Sequence, residues 1–457
     1  MVIQQHMTIV APATPPGEGG VGIIRLSGSD SEALLRRFFS PTKAVETFVS
    51  HRLYHGRLMR TDGVLVDEVM AVLMRKPHSY TKEDVVEIHC HGGALVQRRI
   101  LRLFLDGGAR LARPGEFTLR AFLNGRIDLA SAEAVIDVIR SRSDAACNIA
   151  LGQLEGQLSR RVYQFRNVLI DLLAEVEAGI DFPEDDLDLS QTEEMLGRGR
   201  EIMEQMEALL ASFESGRVLK EGLAILIFGK PNVGKSSLMN GFLGEARAIV
   251  TDIPGTTRDV IEENMVLNGI PLRLVDTAGV RETSDPIESE GVRRARGKIA
   301  AADLVLLVVD GSRPLDAEDQ LALDFCRDGR LLLVVNKADL GRKALPPVFS
   351  ELPAVAVSAL SGDGLGELKE RICSLFLEGG GADNRESLVL SDSRHWEAVF
   401  RARASLARFL DGAAEGLAPE FSALELRDAL EALGEITGET TPGEVLEKIF
   451  SRFCVGK

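Results

Sequence analysis

The chain has 457 residues, a net charge of −16, 45% hydrophobic residues and 27% charged ones. That length exceeds a single domain, and the apolar content supplies packed cores, which excludes a disordered or collagen-like chain. The acidic balance argues against non-specific coating of nucleic acid.

Residues 1–118 are rich in glycine and in short apolar runs (20–26, 64–74, 85–89), and read as a mixed α+β unit. The first residues lack a basic segment followed by an apolar core, so no secretory signal is expected. No apolar run in the chain approaches the ~20 residues that cross a bilayer. The five cysteines, Cys90, Cys147, Cys326, Cys373 and Cys454, are scattered and never spaced C-x-x-C. They suit a reducing compartment, so a cytoplasmic location with no membrane partner is expected. His89-Cys90-His91 invites a metal reading, but no other Cys or His at ligand spacing completes a tetrahedral set. Lining the turn before Gly92-Gly93 is the favoured role.

Residues 119–221 and 378–457 read as helical. Leu169, Leu172, Leu173, Val176 and Ile180 recur at helical spacing and the pattern stops at Pro183. Ser190 with Glu193, Ser422 with Glu425, and Thr441-Pro442 with Glu444 are read as capping boxes that open helices. The simplest arrangement is one helical domain into which an α/β domain, 222–377, is inserted; two separate bundles stay open. Within 222–377, apolar runs at 223–228, 304–309, 331–335 and 354–357 read as buried parallel strands with helices between them. The segments 260–267 and 270–275 flank Asn268-Gly269, a hairpin signal that makes one edge strand antiparallel.

G-K-P-N-V-G-K-S at 229–236 follows the first of these strands and fits the phosphate-loop pattern. Its glycines let backbone N–H groups approach phosphates, Lys235 supplies a point charge, and Ser236 can ligate Mg²⁺. Asn232, Val233, Gly234 and Ser237 complete the expected phosphate contacts. Asp276-Thr277-Ala278-Gly279 can hold Mg²⁺ through water and meet the γ-phosphate. In Asn336-Lys337-Ala338-Asp339, Asp339 can accept from guanine's ring N–H and amine, which selects GTP over ATP. Ser358-Ala359-Leu360 would support the base from its other side. All these segments follow strand C-termini, where open α/β sheets bind ligands.

Thr251, Asp252, Ile253, Pro254, Gly255, Thr256 and Thr257 form a switch segment with Thr257 as the second Mg²⁺ hydroxyl. Val280 occupies the position where a water-orienting Gln follows D-x-x-G, so another group must do that work. Glu282, Asp285, Glu288 and Glu290 are candidates, against the alternative of a solvated loop. The Asn232 amide could coordinate a monovalent cation, against the alternative of a polar loop residue without metal.

With these residues in hand, the whole chain resembles the MnmE (TrmE) family of tRNA-modification GTPases. The resemblance is carried by P-P-G-E-G-G-V-G-I-I-R near the start, R-P-G-E-F-T-L-R-A-F-L-N-G-R at 113–126, I-D-F-P at 180–183, G-T-T-R-D at 255–259 and the final F-C-V-G-K. It implies a multidomain α/β protein: a P-loop G domain, 222–377, inserted in an all-α helical domain, with 1–118 a tetrahydrofolate-binding and dimerisation domain. It implies K⁺ held by Asn232, Thr251, Ile253 and Thr256, replacing an arginine finger as two G domains meet, and Glu288 orienting the attacking water. It also implies a folate derivative (5,10-methylene- or 5-formyl-tetrahydrofolate) at Arg25, Glu87, Arg126 and Lys457, where residues alone suggest surface ion pairs. Cys454 matches a C-terminal Cys discussed as catalytic, against a packed core thiol.

The function implied is a homodimeric GTPase working with the FAD- and NADH-using partner MnmG (GidA) in a heterotetramer. Together they would add an aminomethyl or carboxymethylaminomethyl group to C5 of wobble uridine in tRNA. A ribosome-assembly GTPase and a nucleotide-stabilised scaffold are the competing classes. The charge is also uneven: 171–215 hold 14 acids and 2 Arg, whereas 94–166 hold 12 Arg and 7 acids. The second stretch predicts a local Arg-rich surface for tRNA.

Overall fold

The computed structural model describes residues 7–181, 189–245, 262–267, 269–275, 297–327, 329–376 and 388–457. It divides into two compact units: Met1–Ile136 with Gln153–Val176 and Ala423–Lys457, and Asp137–Gly152 with Glu177–Ser422.

The first unit is built on β1 (Ile9–Pro12), β2 (Gly22–Ser27), β3 (Phe39–Pro41), β4 (Leu53–Met59), β5 (Leu65–Met74), β6 (Val85–Cys90) and β7 (Arg110–Leu111), in spatial order β3-β4-β5-β6-β2-β1-β7. All neighbours are antiparallel except β1 and β7. Strand alternation decides which residues are buried. Ile24 and Leu26, Val86 and Ile88, and Val69, Ala71 and Leu73 form one core with Phe38 of the helix Ser31–Phe38 and Ile100 and Phe104 of the helix Ala94–Asp106. Phe38 and Phe104 meet edge-on at 5.8 Å. The intervening positions, Arg25 on β2 and Glu87 and His89 on β6, fall on the opposite sheet face, and Arg25 stands opposite Glu87 in register.

The end of the chain returns to this unit. Phe450 and Phe453 pack with Phe122 and Leu129, the Gly115 amide donates to Cys454 O at 3.4 Å, and the Phe117 amide donates to Lys457 O at 3.2 Å. Gly456 has a φ of +99°, and a Cβ there would collide with the Pro12 carbonyl. Only glycine lets the tail lie this close to β1.

The second unit holds β8 (Leu223–Phe228), β9 (Glu262–Leu267), β10 (Ile270–Val275), β11 (Leu304–Asp310), β12 (Leu331–Asn336) and β13 (Ala354–Ala356), in order β13-β12-β11-β8-β10-β9. Every pairing is parallel except the edge hairpin β9–β10, as its turn signal predicts; Asn268 itself lies outside the described residues. β11 is buried along its whole length, which is why its sequence is apolar from Leu304 to Val309 before Asp310 closes it. The strand order reverses beside β8, the point at whose C-terminal strand ends open α/β sheets bind ligands.

Segments from both sides of this sheet pack together within the unit. The helix Leu189–Ala211 lies on the helix Ser393–Ala414, where a Cβ on Gly199 would meet Leu410 Cδ2 at 2.8 Å. The Leu390 amide donates to Ser212 Oγ at 3.1 Å. The six-stranded sheet is thus inserted between helical segments, and no strand occurs in 130–215 or after 378 among the described residues.

Three capping expectations are corrected. Ser190 lies inside Leu189–Ala211 and Ser422 inside the helix Pro419–Thr437, which opens instead on proline. Thr441 donates its hydroxyl back to Glu435 O at 3.0 Å, and the helix Gly443–Phe450 starts after Pro442 with no side-chain cap.

Candidate functional site

β8 delivers the chain to a tight loop, 229–234, that leads straight into the helix Lys235–Glu245. Gly229 (φ +142°) lies against the Val308 carbonyl of β11, and Gly234 (φ +99°) against the Asn336 amide, so a Cβ at either would clash. Asn232 takes the left-handed region at φ +64° and is exposed with Ser236 and Ser237, while Val233 is fully buried. Lys235 Nζ donates to Gly229 O at 2.6 Å and Lys230 O at 2.8 Å, which closes the loop over its own ammonium. The helix presents its positive N-terminal end at the same place, the arrangement that receives a phosphate.

The segments expected to hold the base, 336–339 and 358–360, are joined to this loop through one residue. Asn336, buried at the end of β12, donates Nδ2 to Val233 O at 2.8 Å and accepts from the Ala359 amide at 3.0 Å. Its side chain thereby joins the phosphate loop to Ser358-Ala359-Leu360. Ser358 is buried and its Oγ accepts from the Ser361 amide at 3.2 Å; Leu360 is 90% exposed. Lys337, also left-handed at φ +64°, donates to Asp310 Oδ2 at 2.8 Å. Burial raises the Asp310 carboxyl, but hydrogen bonds from Lys337 and Ser312 outweigh it and hold the group at about 2. Asp339 is exposed beside them in the short 3₁₀ turn Ala338–Leu340.

Asp310, Asp316 and Asp319 were not singled out from sequence. The signal was an aspartate closing a buried apolar strand, one residue past where that run is cut by hydrophobicity. Thr251, Asp252, Ile253, Pro254, Gly255, Thr256, Thr257, Asp276, Thr277, Ala278, Gly279 and Glu288 lie outside the described residues.

A second cluster forms on the face of the seven-stranded sheet opposite that core. Arg25 Nε donates to Glu87 Oε1 at 2.8 Å, and an Arg25 terminal nitrogen donates to Gly456 O at 3.3 Å. The Arg25 guanidinium lies 5.4 Å from the Tyr80 ring centre, and that of Arg126 lies 4.7 Å from the same ring. Arg126 also donates to Tyr80 O at 3.0 Å, and the Tyr80 hydroxyl meets Thr118 Oγ1 at 2.9 Å. Lys457 is half-buried; desolvation and the like charge of Arg25 lower its pKa, with Glu87 and Cys454 opposing. Arg25, Glu87 and Lys457 are therefore one electrostatic group, with Arg126 joined to it through Tyr80. Tyr80 had no sequence signal beyond being one of three tyrosines.

Cys454 is exposed, so the packed-thiol alternative does not hold. His91 lies past the end of β6 and meets Asp67 Oδ1 at 2.7 Å, while His89 stands 3.5 Å from Glu87 Oε2. Among the described residues no three His, Cys, Asp or Glu side chains are grouped to hold a metal.

Two family models match the chain: "GTP-binding protein TrmE N-terminus" over residues 8–126 and "MnmE helical domain" over residues 129–454. The tRNA modification GTPase MnmE of Syntrophotalea carbinolica is 60% identical over 451 residues, covering 98% of this chain and 99% of that protein. The protein of the same name from Geobacter sulfurreducens is 53% identical over 452 residues, with the same coverage. The chain belongs to the MnmE family. Among solved structures, the G domain of the T. maritima FeoB iron transporter is 29% identical over 33% of this chain and 97% of that chain, with a TM-score of 0.27.

The MnmE helical model spans residues 129–454, so its match takes in both helical flanks and the sheet between them. For a bound Mg²⁺, the hydroxyl of Ser236 is suitably exposed at the helix start beside Lys235. For K⁺, the exposed Asn232 amide leaves the loop at its one left-handed non-glycine residue. No helix of the described residues is long and apolar enough to cross a membrane.

Proposed function

We propose that this chain is a K⁺-stimulated GTPase of tRNA wobble-uridine modification, acting as a homodimer with the FAD protein MnmG. GTP would sit with its phosphates on Asn232 to Ser237, and its guanine between Asp339 and Ser358-Ala359-Leu360. Thr251 to Thr257 and Asp276 to Gly279 would close over the γ-phosphate. Mg²⁺ would be held by Ser236 and Thr257 and would neutralise charge on the β- and γ-oxygens. K⁺ would be held by Asn232, Thr251, Ile253 and Thr256, supplying positive charge where charge develops in the transition state. Lys235 would leave its two loop carbonyls for the phosphates, and Glu288 would orient water.

Glu87 would accept from the donor pair of a tetrahydrofolate pterin, with Arg25, Arg126 and Lys457 meeting its polar and anionic groups. The folate would supply the one-carbon unit, and Cys454 is a thiol within the same group. The working division is 1–118 for folate, 119–221 with 378–457 as helical arms, and 222–377 for GTP, in the cytoplasm. Arg98, Arg99 and Arg102, exposed on the helix Ala94–Asp106, are the tRNA-docking candidates within the Arg-rich stretch.

The observation that carries the reading is the Asn336 bridge, which couples a phosphate loop to a guanine-selective segment in a chain of the MnmE family. Nucleoside analysis of tRNA from a deletion strain tests it: loss of the C5 wobble modification is expected, and intact modification refutes it. Hydrolysis by purified protein in KCl and in NaCl tests the cation, and equal rates at saturating GTP refute K⁺.

A further inference from the structure

The loop between β11 and the helix Ala317–Cys326 has no assigned role, yet both nucleotide-facing loops are fastened to it. At its start, Asp310 accepts from Lys337 of the guanine-side segment at 2.8 Å. At its end, Lys230 Nζ of the phosphate loop lies 2.6 Å from Asp316 Oδ2 and 2.7 Å from Asp319 Oδ2. The side chains of Lys230 and Asp319 are 7% and 2% exposed, so this pair is shielded from solvent. Asp316 and Asp319 also cap the helix reciprocally, which fixes both carboxylates independently of the lysine. Lys230 in turn offers its carbonyl to Lys235 Nζ at 2.8 Å. The catalytic lysine is therefore two contacts away from a rigid helix end.

We propose that residues 310–319 form a positioning strut for nucleotide binding: Asp316 and Asp319 set the phosphate loop through Lys230, and Asp310 sets the guanine-side loop through Lys337. The inference rests on the GTP reading above and adds residues that touch no nucleotide themselves. The physical reason is that a glycine-rich loop has little side-chain packing of its own, so its conformation must be held from outside. Of the two charge-assisted bonds from Lys230, the one to the shielded Asp319 holds the loop more firmly than a water-exposed one could. The same hydrogen bond from Lys230 is the chief cause that holds the Asp316 carboxyl down at about 2. Because the two ends grip different loops, they act on different parts of the ligand.

The test measures GTP and ITP affinities of the full chain by calorimetry, with thermal unfolding followed in parallel. ITP lacks the guanine amine that Asp339 would read. Lys230→Met is expected to weaken GTP and ITP alike, by about tenfold. Lys230→Arg, which can still fork onto two carboxylates, should stay within about threefold of wild type. Asp310→Asn should instead reduce the preference for GTP over ITP, by about threefold or more. Asp324→Asn, an exposed acid on the same helix, is the control and should bind as wild type. Should Lys230→Met fail to fold, Asp316→Asn, on the exposed side of the lock, gives the same direction at smaller size. Wild-type affinities in Lys230→Met and Asp310→Asn overturn the strut. So does an equal loss for both nucleotides in both variants, with no rescue by Arg, which is the signature of general destabilisation. A wild-type chain that fails to bind GTP overturns the underlying reading instead.

Discussion

Asn336→Ala is the sharpest probe of the nucleotide site, because one side chain carries both links between its halves. The substitution removes a 2.8 Å bond to Val233 O and a 3.0 Å bond from the Ala359 amide. Asn336 is 2% exposed and Val233 is fully buried, so water does not readily replace the lost donor. An unsatisfied buried carbonyl costs about 1–3 kcal/mol, and the less buried amide adds about 1 kcal/mol. The expected penalty is thus about 2–4 kcal/mol, carried by the loop arrangement and read as a 30-fold or greater loss of GTP affinity, on the order of 2 kcal/mol at ~1.4 kcal/mol per decade. Asn336→Asp should be worse, since it keeps the acceptor for Ala359 but turns a carboxylate oxygen toward the Val233 carbonyl. Fluorescent GTP titration measures the affinity, and hydrogen exchange at β12 and the 229–234 loop locates the loosening. If Asn336→Ala binds GTP within about twofold of wild type, the two halves are not coupled through this residue and the reasoning fails.

Glu87→Gln should weaken 5-formyltetrahydrofolate binding by about 10-fold or more, because the amide presents a donor where the pterin's donors need an acceptor; calorimetry showing unchanged affinity would remove the folate assignment. Arg98→Glu, Arg99→Glu and Arg102→Glu combined should weaken tRNA binding and lower the slope of log K against log salt by about 2–3, as expected for three phosphate contacts. Binding with an unaltered slope would place the tRNA elsewhere. Asp310 has its folded pKa depressed to about 2 from 3.8, so its contribution is present above pH ~3.8 and lost as pH falls toward 2. Acid titration of unfolding should show about 1–2 kcal/mol of this loss, allowing for screening, and Asp310→Asn should abolish it.

Much of the site was legible in the chain. The phosphate-loop pattern and the flanking strands follow from backbone needs that only certain residues meet: glycine for close approach, lysine for charge, apolar runs for a sheet buried on both faces. The hairpin was equally plain from Asn268-Gly269. The helix starts were not, because Ser and Thr hydroxyls have several backbone partners within reach and the sequence does not rank them. Thr441 illustrates this by bonding back to Glu435 rather than capping forward.

What the sequence determined by itself is what local chemistry can specify: the family, the nucleotide motif, and the apolar strands with their edge hairpin. What only the tertiary structure decided is which distant residues meet. Lys457 reaches Arg25 because Gly456 alone can pass beside Pro12. Tyr80 unites Arg25 and Arg126 because two guanidiniums converge on one ring. Lys230 and Lys337 share the 310–319 loop because parallel strands bring their C-terminal ends to one rim. Ion pairs of this kind depend on separations of a few ångströms between residues up to hundreds of positions apart, and no spacing along the chain encodes that distance.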